Sequence, residues 1–143
     1  MPKSTSLSNG LLNLIFQGTA ITGIATNATT SPLTSLYVSL HTANPGVGGS
    51  QTTSEAAYTG YARVAVVRTS SGWSTATAGS TSPVSNVNFP AATAGSETET
   101  FFAIGTASTG AGTILYVGSV TPSISVSNGV QPYLNTSSAI SES

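Results

Sequence analysis

Thr100-Phe101-Phe102-Ala103-Ile104-Gly105-Thr106 and Thr113-Ile114-Leu115-Tyr116-Val117 flank a turn-forming stretch, Ser108-Thr109-Gly110-Ala111-Gly112. Both runs are rich in β-branched and aromatic residues, and the segment between them holds two glycines. This is the pattern of a β-hairpin. Phe102 and Ile104 fall on one face of the first run. The same pattern recurs outward in both directions. Leu36 to His41 is apolar with period-two character. Tyr61 to Arg68 is β-branched, with Val64 and Val66 on one face. Val87 and Phe89 alternate with Asn86 and Asn88 until Pro90 ends the run. Ser123-Ile124-Ser125-Val126-Ser127 alternates cleanly, and Asn128-Gly129 then predicts a second hairpin into Val130 to Asn135. Short strands separated by turns predict an all-β chain, an antiparallel β-sandwich of jelly-roll or Ig-like type. Val64, Val66, Phe102, Ile104, Leu115, Val117, Ile124 and Val126 are its predicted core.

One segment departs from this pattern. Ser6 to Gln17 carries Leu11, Leu12 and Ile15 at helical spacing, with Ser8 as a cap and Gly18 as a terminator. The chain is expected to divide into an N-terminal arm, 1–30, with this one short helix around Leu11 to Phe16, and a sandwich domain, 31–143. The longest irregular stretch, Thr42 to Gly60, contains Asn44-Pro45-Gly46-Val47-Gly48-Gly49. A loop of that length in a compact domain is usually functional or mobile.

Charge limits the chemistry. The 143 residues include three basic and four acidic ones: Lys3, Arg63, Arg68, Glu55, Glu97, Glu99 and Glu142. There is no Asp, no Cys and one His, and about a third of the residues are Ser or Thr. Enzymes act through titratable groups in shifted environments, and this chain has few to shift. His41, Glu55 and one of many serines nominally suggest a hydrolytic triad, but no nucleophile motif supports it. A hydrogen-bonded structural histidine at a strand end is expected instead. Glu97 and Glu99 share a strand face. Two carboxylates hold a cation only weakly, and a solvated edge is the expectation. No cofactor and no metal are expected. A net charge of −1 offers no field for nucleic acid, and no apolar run is long enough for a membrane span. Without a secretion signal, the triplets Asn27-Ala28-Thr29 and Asn135-Thr136-Ser137 read as chance matches to the glycosylation sequence. Synthesis in the cytosol is expected.

A surface with so little charge is solvated by hydroxyls and amides or covered by partners. Self-association follows as an expectation, a trimer before a dimer. Leu11, Leu12, Ile15 and Phe16 on the helix and Pro45, Val47, Glu55 and Tyr58 on the long loop are the candidate interface residues. Trp73 is expected in the core, and Tyr58 and Tyr61 under the loop.

Leu36-Tyr37-Val38-Ser39-Leu40-His41-Thr42-Ala43-Asn44-Pro45-Gly46, followed by Gln51-Thr52-Thr53-Ser54-Glu55-Ala56-Ala57-Tyr58-Thr59-Gly60-Tyr61-Ala62-Arg63, resembles a family of small virion proteins of tailed bacteriophages. Gly72-Trp73, Asn88-Phe89-Pro90-Ala91-Ala92 and Gly110-Ala111-Gly112-Thr113-Ile114-Leu115-Tyr116 extend the resemblance over nearly the whole chain. Members are often labelled phage tail fibre proteins, and similar small β-rich proteins decorate capsids. The resemblance implies a virion structural protein without a catalytic residue. It leads to the expectation of a protein on the capsid exterior bound to the major capsid protein, with a tail-fibre or receptor-binding component as the alternative.

Overall fold

A computed structural model describes residues 3–28 and 31–142. The elements run α1 (Thr5–Gln17), β1 (Ser35–His41), β2 (Val64–Val67), β3 (Ser80–Thr81), β4 (Val87–Asn88), β5 (Glu97–Gly105), β6 (Ile114–Val126), β7 (Tyr133–Leu134) and β8 (Ile140–Ser141). Every described strand pairing with a recorded register is antiparallel. The class is therefore all-β with one short helix, it fits an all-β sandwich, and no sheet closes into a barrel among the described residues.

The chain forms two compact units. One comprises Met1–Ser35, Val66–Asn86 and Asn135–Ser143; the other comprises Leu36–Ala65 and Val87–Leu134. In the first, α1 begins at Ser4, whose side chain accepts a hydrogen bond from the Leu7 amide at 3.2 Å. The predicted cap, Ser8, lies inside the helix and is buried. Gly18 ends the helix in the left-handed region, φ 67°, and its neighbourhood returns hydrogen bonds to the Asn13 and Leu14 carbonyls. A glycine suits this conformation because it has no Cβ to clash. Leu12 and Phe16 are fully buried, and the Phe16 ring meets Trp73 edge-on at 4.6 Å. Trp73 belongs to the core, as expected, and its indole nitrogen has no hydrogen-bond partner there. Two asparagines on the helix tie it to the following chain: Asn13 accepts from the Ala76 amide and Asn9 from the Gly79 amide.

Arg68 closes the helix from the other side. Its guanidinium donates to the Ile15, Leu14 and Leu33 carbonyls at 2.7–2.9 Å, and to Asn27 Oδ1. Helix ends leave carbonyls without intrahelical partners, and a cation there also meets the negative end of the helix dipole. The triplet at Asn27 reaches Thr29, which lies outside the described residues.

The four-stranded sheet has the order β2-β1-β5-β6, and the second unit holds β5, β6, nearly all of β1 and the Val64–Ala65 half of β2, together with the ribbon β4-β7. β1 is an inner strand, with Leu36, Val38, Leu40, Ser39 and His41 all buried, so both of its faces are covered. The β5–β6 hairpin forms as predicted, with Ala103 opposite Val117. The second predicted hairpin does not. Asn128-Gly129 makes a turn, but Gly129 donates to the Ala92 carbonyl and Ala92 to that of Val130, which leads the chain to pair β7 with β4 instead of β6. The runs at 113–117 and 123–127 belong to one strand, β6. Of the predicted core, Phe102, Ile104 and Val126 are buried, whereas Val64, Val66, Val117 and Ile124 are half-buried. Leu115 is 38% exposed; it is the extra residue of a bulge, since Ile104 pairs with Tyr116 but Gly105 with Ile114, and a bulge breaks the alternation read from the sequence.

This distinction is measurable by chemical denaturation. Ile104→Ala should lower stability by about 2–5 kcal/mol through cavity formation. Leu115→Ala should cost clearly less, about 1 kcal/mol, because that side chain is already 38% exposed.

Candidate functional site

The long loop after β1 is held by hydrogen bonds along most of its length. It turns back on the strand it leaves: Thr42 donates to the Ser54 carbonyl and Ala56 to that of Leu40, so His41 and Glu55 sit opposite each other. His41 is fully buried. Its Nδ1 donates to the Thr53 carbonyl at 2.9 Å, which leaves Nε2 to accept the Ser39 hydroxyl at 2.9 Å. Burial lowers its pKa from the ordinary value, with partial opposition from the Thr53 bond and the Glu55 charge. The serine beside the imidazole has no exposed surface. Glu55 is turned away from this pair. Its carboxylate accepts two bonds from Arg63 at 2.6 and 2.8 Å and a third from the Tyr61 hydroxyl at 2.9 Å. His41 is thus buried and hydrogen-bonded at the end of its strand.

Arg63 links the loop to the β5–β6 turn. Besides Glu55, it donates to the Ala107 and Gly110 carbonyls at 2.8 and 2.7 Å. The paired carboxylate raises its pKa further. Tyr61 also accepts the Leu40 amide through its hydroxyl, and burial followed by the Glu55 charge pushes its own pKa far up. Gln51 makes the second link. It is fully buried; its side chain accepts the Ala107 amide at 3.0 Å and donates to the Tyr37 carbonyl, and its backbone amide donates to the Ala111 carbonyl. Gly105 and Gly112 lie against this side chain, where a Cβ at either position would overlap it. Composition gave no signal for Gln51, since a glutamine in a Ser/Thr-rich loop reads as solvated.

A third anchor replaces the expected solvated edge at Glu97 and Glu99. Glu97 Oε1 accepts the Ala57 and Tyr58 amides, each at 2.8 Å. Tyr58 is buried, with its hydroxyl donating to the Pro90 carbonyl and its ring edge-on to Tyr61 at 5.3 Å. Burial, then the charges of Glu99 and Glu97, push its phenol up to about 12. Glu99 is fully buried, and as a carboxylate neither of its oxygens has a partner. A protonated Glu99 can donate to Glu97. Burial first, then the hydrogen bond and charge of Glu97, push its pKa up to about 8. Among the described residues no three His, Asp, Glu or Cys side chains converge.

The candidate interface residues therefore separate. Leu12, Phe16, Tyr58 and Pro45 are buried within the chain, and Leu11, Ile15 and Glu55 are half-buried. Glu55 faces Arg63, not solvent. Val47 alone of the eight is fully exposed. It stands at the tip of a turn in which Gly46 donates to Asn44 Oδ1 and Gly49 to the Gly46 carbonyl. The arrangement can present one apolar side chain on a braced, uncharged turn.

The sequence model of one protein family, described as podophage GP4 fiber I protein gp80, matches residues 2–140. No curated protein matches the chain.

Glu99 generates a pH prediction. Its folded pKa lies above the unfolded value, so its contribution to stability is complete below about 4.5 and is lost as pH rises through about 8. Denaturation midpoints measured from pH 4 to 9 should fall over that window. Glu99→Gln, which stays neutral, should flatten this slope.

Proposed function

The chain belongs to this phage fiber family, and on that premise we propose that it is a non-catalytic structural component on the outside of a tailed-phage virion. One observation carries the reading: the described charged side chains are engaged within the chain. Lys3 pairs with Glu142, Glu55 with Arg63, Arg68 with helix carbonyls, and Glu97 with two amides, while Glu99 is buried. What remains outside is largely hydroxyl, amide and isolated apolar surface. Such a surface recognises a partner by shape and apolar contact instead of by charge.

The attachment point in this reading is the major capsid protein at the capsid exterior, with the turn at Asn44 to Gly49 among the contacts. A weak contact per subunit becomes strong when a homo-oligomer repeats it on a symmetric lattice. The proposal includes no cofactor, nucleic acid or membrane partner. A second reading, a tail-associated component, draws on the word fiber in the family description, which suits a head-mounted or a tail-mounted appendage.

Quantitative staining of purified particles, with heads and tails separated, distinguishes the two. The capsid reading predicts that the chain stays with heads at a simple fraction of the major capsid protein. A few copies per particle, leaving with tails, would establish the second reading. Val47→Asp should change stability by no more than about 0.5 kcal/mol and reduce incorporation into particles.

A further inference from the structure

Glu97 and Glu99 are two residues apart on β5, so both side chains project from one face of the strand, while Thr98 between them is exposed on the other. What satisfies the two carboxyl groups differs. Glu97 is half-buried, and its Oε1 holds the Ala57 and Tyr58 amides at 2.8 Å each. Glu99 is fully buried, and ionised it has no partner for either oxygen. Its surroundings bring no positive charge. On β6 it stands opposite Ile124, and Glu97 stands opposite Val126. On β1, His41 pairs with Phe101 and spends both ring nitrogens on Thr53 and Ser39. From the loop comes Tyr58, whose phenol is raised by burial and then by the charges of both glutamates. Glu55 of the same loop is bound by Arg63. Lys3 pairs with Glu142, and Arg68 with helix carbonyls. A dry, unpaired carboxylate is strongly disfavoured. A proton on Glu99 removes that charge and supplies a donor to Glu97.

The chain on either side of the two amides is anchored without Glu97. Ala56 donates to the Leu40 carbonyl, Thr59 donates to that of Ala94, and Thr93 donates back to Thr59. Only the Ala57 and Tyr58 amides depend on the carboxylate. We propose that Glu97 and Glu99 form a proton-operated latch: while Glu99 carries its proton, Glu97 holds the Ala57 and Tyr58 amides, and loss of that proton to solvent frees them. The ionised Glu99 is buried and must be hydrated in place, which requires Tyr58 to part from β5. Glu97, being half-buried, turns outward from the new like charge and gives up the amides. The inference does not depend on where on the virion the chain sits.

Amide hydrogen exchange on the full chain from about pH 6 to 9 tests it, read as protection factors so that the intrinsic pH dependence of exchange cancels. Carbon-13 shifts of the glutamate carboxyl groups are followed over the same range. Protection of Ala57 and Tyr58 should fall by about tenfold at the alkaline end, since each pH unit above the titration point raises the ionised fraction relative to the neutral one tenfold. The fall should track the Glu99 carboxyl, which titrates near 8, while Ala56, Thr59 and Phe102 to Ile104 keep their protection. Glu99→Gln, neutral and still able to donate to Glu97, should hold both amides protected throughout. Protection of Ala57 and Tyr58 that does not change with pH would overturn the latch. So would a parallel loss at Phe102 to Ile104, which reports general destabilisation, or a Glu99 carboxyl that titrates in the ordinary carboxylate range. A Glu99→Gln variant that has already lost both amides at pH 6 would overturn it too, because a neutral donor would then not suffice.

Discussion

The bidentate contact between Arg63 and Glu55 underlies much of the second unit. The Arg63 side chain is 3% exposed and that of Glu55 15%, so water does little to satisfy either group. Burying one such charge without its partner is strongly unfavourable, of order 3–5 kcal/mol when one partner is removed. Arg63 answers this with four bonds to two different segments, the Glu55 carboxylate on the loop and the Ala107 and Gly110 carbonyls on the β5–β6 turn. Tyr61 then joins Glu55 to the backbone of β1 through Leu40. The loop becomes a fixed element because this ion pair, shielded from water, ties it to the β5–β6 turn and to β1.

The first unit uses its arginine similarly. Arg68 gathers the last carbonyls of α1 and the carbonyl of Leu33. In a chain with so few charges, both arginines bind mainly backbone carbonyls or an internal carboxylate. This links composition to function. Charge is rare on this chain, and what there is organises loops and a helix end, which leaves the outer surface neutral. A neutral surface suits contacts made once and repeated many times over a particle, where effective concentration supplies the affinity.

Much of the fold is legible in local sequence. The β5–β6 hairpin, β1 and the Gly18 helix stop are encoded within a few residues of where they act. The misread parts depend on distant partners. Asn128-Gly129 encodes a turn, but the strand beyond it is captured by β4 because Ala92 bonds on either side of that turn. Leu115 alternates like a core residue, yet it is the extra residue of a bulge opposite Ile104 and Gly105, which the local pattern does not reveal. Glu97 and Glu99 read as an exposed acidic edge because their spacing cannot reveal that the Ala57 and Tyr58 amides bind Glu97 or that Glu99 is buried. Of the interface candidates, Leu12 and Phe16 are covered within the chain. An amphipathic pattern shows that Leu12 and Phe16 need cover, but not that Trp73 of the same chain provides it for Phe16.

The central claim is that the Arg63–Glu55 pair, and not the intrinsic preference of the loop, fixes residues 50–58 in place. Amide hydrogen exchange on the full chain, comparing Arg63→Met with the unsubstituted protein, tests this directly. Met keeps much of the side-chain volume and removes the charge and its four donated bonds. The account predicts that protection of Gln51, Ala56 and Tyr58 falls well before that of Phe102 to Ile104 in the neighbouring strand. Loop and strand losing protection together, or the loop keeping its protection in the variant, would contradict it.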